Sequence, residues 1–220
     1  MEDSWYISDA AKNAKYMPEF KVIDTESSHG RYSDRTKIIT FVDLIKFHGH
    51  GCDGLFRGMY AMYVGLSSLF PNGIIDRTDL RVISRNSPCL GDVASYLTGG
   101  RVRFGTQDVR NIPGVWYIIQ RISSGMTVRV AEEDGFFHES ITRLENGLGS
   151  TAKDKLPAAL DELREAQDQW VSRVLLESRP MDHYFSSSID FKWETAPYAN
   201  LGPRSDVLYK NIPKRKDPSA

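Results

Sequence analysis

The chain has 220 residues, long enough to bury a sizeable core, and its 40% hydrophobic and 26% charged content is that of an ordinary soluble globular protein. A formal net charge of -1 supplies no general attraction to nucleic acid or to anionic lipid. No apolar run approaches the ~20 residues a membrane span needs, and the start, Met1-Glu2-Asp3-Ser4-Trp5, lacks the basic-then-apolar order of a signal peptide, so the expected compartment is the cytoplasm, with reduced thiols.

Residues 1–40 are polar and mixed and read as an N-terminal extension, with Asp24 to Gly30 a loop that carries His29 on the surface. Ile38 to Val42 is apolar, and Asp43 to Phe47 predicts a short helix capped by Thr40. Then comes His48-Gly49-His50-Gly51-Cys52-Asp53-Gly54, two imidazoles and a thiol within five residues. Leu55, Met59, Met62, Leu66 and Leu69 recur at helical spacing, so a helix follows, with Asp53 its expected N-cap and Pro71-Asn72-Gly73 its end. Gly54, Gly58 and Gly65 each weaken it by about 1 kcal/mol relative to Ala; close packing against another backbone is the expected compensation.

Leu80 to Ser84 reads as a strand. Ser87 is an N-cap and Pro88 takes the first helical position, which puts Cys89 at the second, in a helix that stops at Gly99-Gly100. Arg101 to Gly105 alternates like a strand. Val115–Ile119 and Met126–Val130 predict a hairpin about the turn-like Ile122 to Gly125. Gly135 to Asn146 predicts a helix, and Asp154 to Ser178 a long one with the stripe Leu156, Leu160, Leu163, Trp170, Val174 and Leu175, its Pro157 confined to the first turn. The tail from Ala196, rich in Pro and carrying Lys210, Lys214, Arg215 and Lys216, is expected to be extended and solvated. The organisation is thus an extension (1–40), an α+β core with a mixed or antiparallel sheet (41–150) and a C-terminal helix with its tail (151–220).

Cys sulfur and His nitrogen are ligands for zinc and its neighbours, and His48, His50, Cys52 and Cys89 supply up to four. In an extended loop, alternate residues point to one side, so His48, His50 and Cys52 can face one centre. Both thiols stand at or beside a helix N-terminus, which favours thiolate and also an anionic substrate. Arg57, Arg85, Arg101 and Arg103 flank these segments as candidate anion-binding groups. Asp92, one turn after Cys89, is placed to orient a His. His48, Asp53 and Asp92 are the candidate proton carriers. A disulfide between Cys52 and Cys89 is disfavoured by the compartment. The glycines 99, 100 and 105 lack the pattern of a phosphate loop. His138 and His183 are distant in sequence and read as lone polar contacts.

Phe47-His48-Gly49-His50-Gly51-Cys52-Asp53-Gly54-Leu55, followed by Gly58, resembles the opening motif of the formylmethanofuran dehydrogenase E-subunit family, Phe-His-Gly-His-x-Cys-Pro-Gly-Leu with a later Gly. Cys89-Leu90-Gly91-Asp92 with Leu97-Thr98-Gly99 is similar to its Cys-x-x-Asp block leading into Thr-Gly-Cys-Thr, and Gly125 to Val130 to its Gly-Lys-x-x-Arg-Val strand. The likeness covers about residues 40–131. It implies an α+β domain, often a homodimer, with His48, His50, Cys52 and Cys89 as metal ligands and Asp92 as the associated acid. Members are named for a molybdenum or tungsten enzyme of one-carbon metabolism, and many stand alone. Here Asp53 replaces the motif proline and Gly100-Arg101 the Cys-Thr pair. The leading expectation is a free-standing zinc (or other divalent transition metal) enzyme acting on a small, anionic substrate. A metal-binding accessory or delivery protein, and a metal-free enzyme with a cysteine nucleophile, are the alternatives.

Overall fold

The computed structural model describes residues 6–194 and 210–212. The acidic start and, apart from Lys210 to Ile212, the proline-rich tail lie outside the described residues.

The centre is a five-stranded sheet of β4 (Leu80–Arg85), β5 (Gln107–Arg110), β6 (Trp116–Arg121), β7 (Thr127–Glu132) and β8 (Tyr184–Ser188), in the order β5-β4-β6-β7-β8. Only β4 and β5 run parallel; the hairpin of β6 and β7 pairs Ile118 with Arg129, and the β4–β6 pairing sets Ile83 opposite Ile118. Period-two alternation then turns Val82, Tyr117, Ile119, Val128 and Val130 to one face, all buried. Two helices lie on that face, α3 (Asp53–Leu69) and α4 (Pro88–Thr98). The α+β class and the mixed sheet are therefore as the sequence implies.

The first forty residues contribute to this body. A short helix α1 (Asp9–Lys12) is followed by β1 (Phe20–Ile23) and β2 (Lys37–Ile39), which join β3 (Ile75–Asp76) in a second sheet of order β2-β1-β3. Ile7, Phe20 and Val22 belong to a core cluster that continues to Tyr184. Helix α2 (Phe41–His48) packs on α4; it opens at Thr40, whose N–H and hydroxyl both donate to the Asp43 carboxylate at 2.8 and 2.9 Å. After α5 (Glu139–Gly147), the long helix α6 (Leu156–Glu177) packs against α1, α3 and α5 through Leu163, Trp170, Val171, Val174 and Leu175. No described helix is long and apolar enough to cross a membrane.

Several local expectations are corrected. Residues 102–104 form a 3-10 turn closed by Gly105 in the left-handed region, not a strand. Cys52, not Asp53, occupies the N-cap of α3. Helix α5 begins at Glu139 with His138 in extended backbone at its N-cap, not at Gly135, whose φ of 83° lies outside the helical region. Leu160 is 47% exposed and sits outside the buried stripe of α6. The α3 glycines meet side chains rather than backbone: a Cβ on Gly58 would lie 2.7 Å from the Tyr117 hydroxyl, and one on Gly65 2.7 Å from Ile119 Cδ1.

Candidate metal centre

Three helix ends meet at the motif. His48 is the last residue of α2, and Gly49, with φ 102°, reverses the chain there at no cost to a Cβ. Three residues later Cys52 caps α3. Cys89 enters from α4, one place after Pro88. The chain between His48 and Cys52 is therefore bent and not extended, which changes the expected alternation. His48 and Cys52 converge, while His50 is exposed and lies with its ring 4.6 Å from that of His48.

The ligand-capable atoms of His48, Cys52 and Cys89 all fall within 4.8 Å of one another. Cys52 Sγ is 3.5 Å from Cys89 Sγ and 3.6 Å from His48 Nε2. A tetrahedral ion with bonds of about 2.3 Å to sulfur and 2.0–2.1 Å to nitrogen sets sulfurs about 3.8 Å apart and sulfur from nitrogen about 3.6 Å. The donor set and its spacing thus suit a divalent transition metal. His50 is not among the converging atoms.

The surroundings fix the donors. His48 Nδ1 is 2.8 Å from Asp92 Oδ2, so a proton held on Nδ1 leaves Nε2 free to face the sulfurs. Asp92 and Cys89 share one face of α4, three residues apart, so one helix presents both the thiol and the anchor for the imidazole. Gly54 allows the two segments to close: a Cβ there would stand 2.9 Å from Cys89 Sγ and 3.1 Å from Cys89 Cβ. The paired thiols share a proton. The Cys52 S–H donated to Cys89 outweighs burial and brings the Cys89 thiol down to about 6. The same contact with Cys89, with burial added, pushes the Cys52 thiol up. One thiolate forms readily, and the second proton leaves only against that charge.

Asp53 and Arg57 lie just inside. Burial raises the Asp53 carboxyl against the pull of Arg57. Burial is the largest influence on Arg57 and opposes its charge, yet the hydrogen bonds and charge of Glu132, together with the charges of Tyr184 and Asp53, outweigh it and hold the guanidinium protonated. Arg57 Nε donates to Glu132 at 2.8 Å, its Nη1 reaches Asp53 at 3.4 Å, and its guanidinium lies 3.8 Å from the centre of the Phe137 ring. Arg57 is thereby occupied by protein carboxylates. Arg85 is exposed at the end of β4, on a different cleft that it shares with Arg57, and Arg101 is exposed, donating to the Gly100 carbonyl at 2.8 Å. His138 contacts Arg173 at 2.8 Å and His183 contacts Glu133 at 2.6 Å, and neither joins the cluster.

The cluster opens onto a cleft of about 580 Å³. His50, Cys52 and Asp53 form one wall; Arg164, Gln167 and Asp168 of α6 form the opposite one, with Tyr6 and Ser8 at the edge. Sequence reasoning missed the α6 and N-terminal wall. Those residues are polar positions on an exposed helix face and a short polar segment, and neither pattern marks a cleft.

The sequence matches the family described as "FmdE, Molybdenum formylmethanofuran dehydrogenase operon" over residues 47–183, more than half of the chain. The chain belongs to the FmdE family. The matched region runs past the motif strands and includes α6, which motif resemblance alone left outside. Among solved structures, the chain is similar to a tungsten formylmethanofuran dehydrogenase FmdE-like protein from Syntrophus aciditrophicus, at 20% identity and a TM-score of 0.42, over 70% of this chain and 74% of that one. No curated protein matches.

Proposed function

We propose that this chain is a metalloenzyme that holds one divalent transition metal, zinc by its donor set, through His48, Cys52 and Cys89, and admits a small substrate through the α6-walled cleft. One observation carries the reading: two sulfurs and an imidazole nitrogen from three different helix ends converge at separations that suit tetrahedral coordination. Membership of a family with this motif agrees with it. Three protein ligands would leave one coordination position unfilled by the protein, the arrangement of a catalytic rather than a structural zinc site. The bound ion would supply Lewis acidity and lower the pKa of a bound water.

The chain's own groups do the rest. Asp92 fixes the His48 ring through Nδ1. Asp53 lines the cleft with its carboxyl raised by burial, so it retains its proton to higher pH than an exposed aspartate and can deliver it beside the sulfurs. His50, exposed on the same wall, meets incoming substrate. The charged face of α6 provides polar contacts opposite.

Metal content of the full-length protein, purified without chelators, tests the assignment. Stoichiometric metal is expected in the wild type and in His50→Ala, with loss in Cys52→Ser, Cys89→Ser and His48→Ala. Unchanged metal in both cysteine variants would overturn it. Metal that passes quickly to a weak chelator, with a cobalt-loaded spectrum insensitive to added small carboxylates, would favour the delivery role instead.

A further inference from the structure

The two sulfurs have a second chemistry open to them. At 3.5 Å they are about 1.5 Å beyond the bond length of a disulfide, near 2.05 Å. Both belong to free thiols. They sit at the starts of different helices, 37 residues apart in the chain, and Gly54 lets those two segments close on one another with no side chain between them. Cys52 lines the cleft, whereas Cys89 is not among the cleft-lining residues. Both cysteines are partly exposed, and a reagent in the cleft meets Cys52 with Cys89 at contact distance from it.

We infer that Cys52 and Cys89 form a thiol–disulfide redox centre, with Cys52 the attacking and Cys89 the resolving sulfur, that takes a low-molecular-weight disulfide as its oxidant. The proton the pair shares passes to Cys89 as the Cys52 sulfur attacks one sulfur of the small disulfide; that S–S bond breaks, and the small thiolate that leaves takes this proton from Cys89. The Cys89 thiolate then attacks Cys52 Sγ in the mixed disulfide. The second small thiolate leaves with the remaining proton, and the Cys52–Cys89 bond is formed. Two protein thiols lose two electrons in total, and one small disulfide becomes two thiols. The inference stands on sulfur geometry and access alone and does not require the metal. If the metal is bound as proposed above, the two states exclude each other, since metal needs both sulfurs as thiolates.

The test uses the full-length protein, freed of metal and equilibrated with glutathione disulfide, then alkylated and read by mass spectrometry of intact protein and peptides. The wild type is expected to lose both alkylatable thiols and two hydrogens, with a peptide linked through Cys52 and Cys89 and no retained glutathione. Cys89→Ser is expected to stop at a stable glutathione adduct on Cys52. Full alkylation of the wild type under conditions that oxidise a control dithiol peptide would overturn the inference, as would a wild type that ends with the same adduct as Cys89→Ser. Zinc at about 100 times its Kd should slow the reaction about 100-fold, because only the metal-free fraction reacts. A disulfide that forms at one rate with and without zinc keeps the redox centre and removes the metal assignment. Zinc binding without any disulfide in the metal-free protein does the reverse.

Discussion

Gly54→Ala probes the closest approach in the site. Gly54 is the second residue of α3, and replacing a helical glycine by alanine is ordinarily stabilising by about 1 kcal/mol. Here the new Cβ lands 2.9 Å from Cys89 Sγ and 3.1 Å from Cys89 Cβ, where ordinary contact begins at 3.4 Å. Rotating the thiol does not relieve the second contact, because Cβ moves only with the backbone of α4. A displacement of about 0.5 Å is needed, and overpacking of this kind costs about 1–3 kcal/mol. The net change runs from about zero to 2 kcal/mol of destabilisation. The metal site is less tolerant, since coordination distances hold to about 0.2 Å. Affinity should fall by an order of magnitude or more, on the order of the losses seen when supporting contacts are removed. Urea unfolding of the metal-free protein and competition against a chromophoric chelator read the two quantities. A variant that gains the full helix-propensity increment and keeps wild-type affinity would refute the packing argument.

Asp92→Asn retains the shape of the side chain but removes the charge that favours a proton on His48 Nδ1, so metal affinity should drop about 10- to 100-fold with little change in unfolding free energy. Arg57→Met leaves Glu132 and Asp53 buried without their cation and should destabilise the protein by about 3–5 kcal/mol in urea unfolding. In the metal-free protein, ultraviolet thiolate absorbance should show one thiolate forming near pH 6 and the second only above the ordinary cysteine range. The sign for stability follows. Between about 6 and an unfolded value near 8.5 the native state holds one proton fewer than the unfolded chain, so stability rises with pH. Above that range the unfolded chain ionises both thiols while Cys52 keeps its proton, and stability falls again. Urea midpoints measured across this range should pass through a maximum.

Much of the architecture was readable because its signals are local. Period-three-to-four apolar residues marked α3 and α6, Ser87-Pro88 marked the start of α4, and the apolar runs about Ile122 to Gly125 marked the hairpin. The 3-10 turn at 102–104 was not readable, since Arg101-Val102-Arg103-Phe104 alternates as a strand does and only Gly105 in the left-handed region closes it into a turn. The role of residues 1–40 was hidden because β1 and β2 are only four and three residues long, and β1 finds its other neighbour in β3, a two-residue strand far along the chain. The convergence of Cys52 with Cys89 could be suspected from residue chemistry. The divergence of His50 could not, because it depends on one left-handed glycine at position 49. The cleft wall on α6 is a tertiary fact, and no residue in that helix announces it.

The glycines of α3 connect the fold to the site. Gly54, Gly58, Ala61 and Gly65 follow one another at spacings of four, three and four, a single stripe of small residues on one face of the helix. Each glycine receives a different neighbour: Cys89 at the first, Tyr117 and Leu90 at the second, Ile119 and Val130 at the third. The stripe lowers helix propensity but sets how closely α3 lies on α4 and the sheet, and so sets the separation of the two sulfurs. Gly58→Ala tests this at a distance, because Gly58 is not one of the ligand-bearing residues. Its Cβ would stand 2.7 Å from the Tyr117 hydroxyl and 3.1 Å from Leu90 Cδ2, and that hydroxyl is bonded to the Leu90 carbonyl at 3.1 Å, one residue from Cys89. The clash therefore pushes on the first turn of α4. Metal affinity is expected to fall along with stability. Adding Tyr117→Phe removes the nearest clashing atom, so the double variant should recover part of both losses, with a coupling of about 0.5–3 kcal/mol in unfolding free energy. Strict additivity of the two substitutions, or an unchanged metal affinity in Gly58→Ala, would show that the helix spacing does not control the sulfur pair.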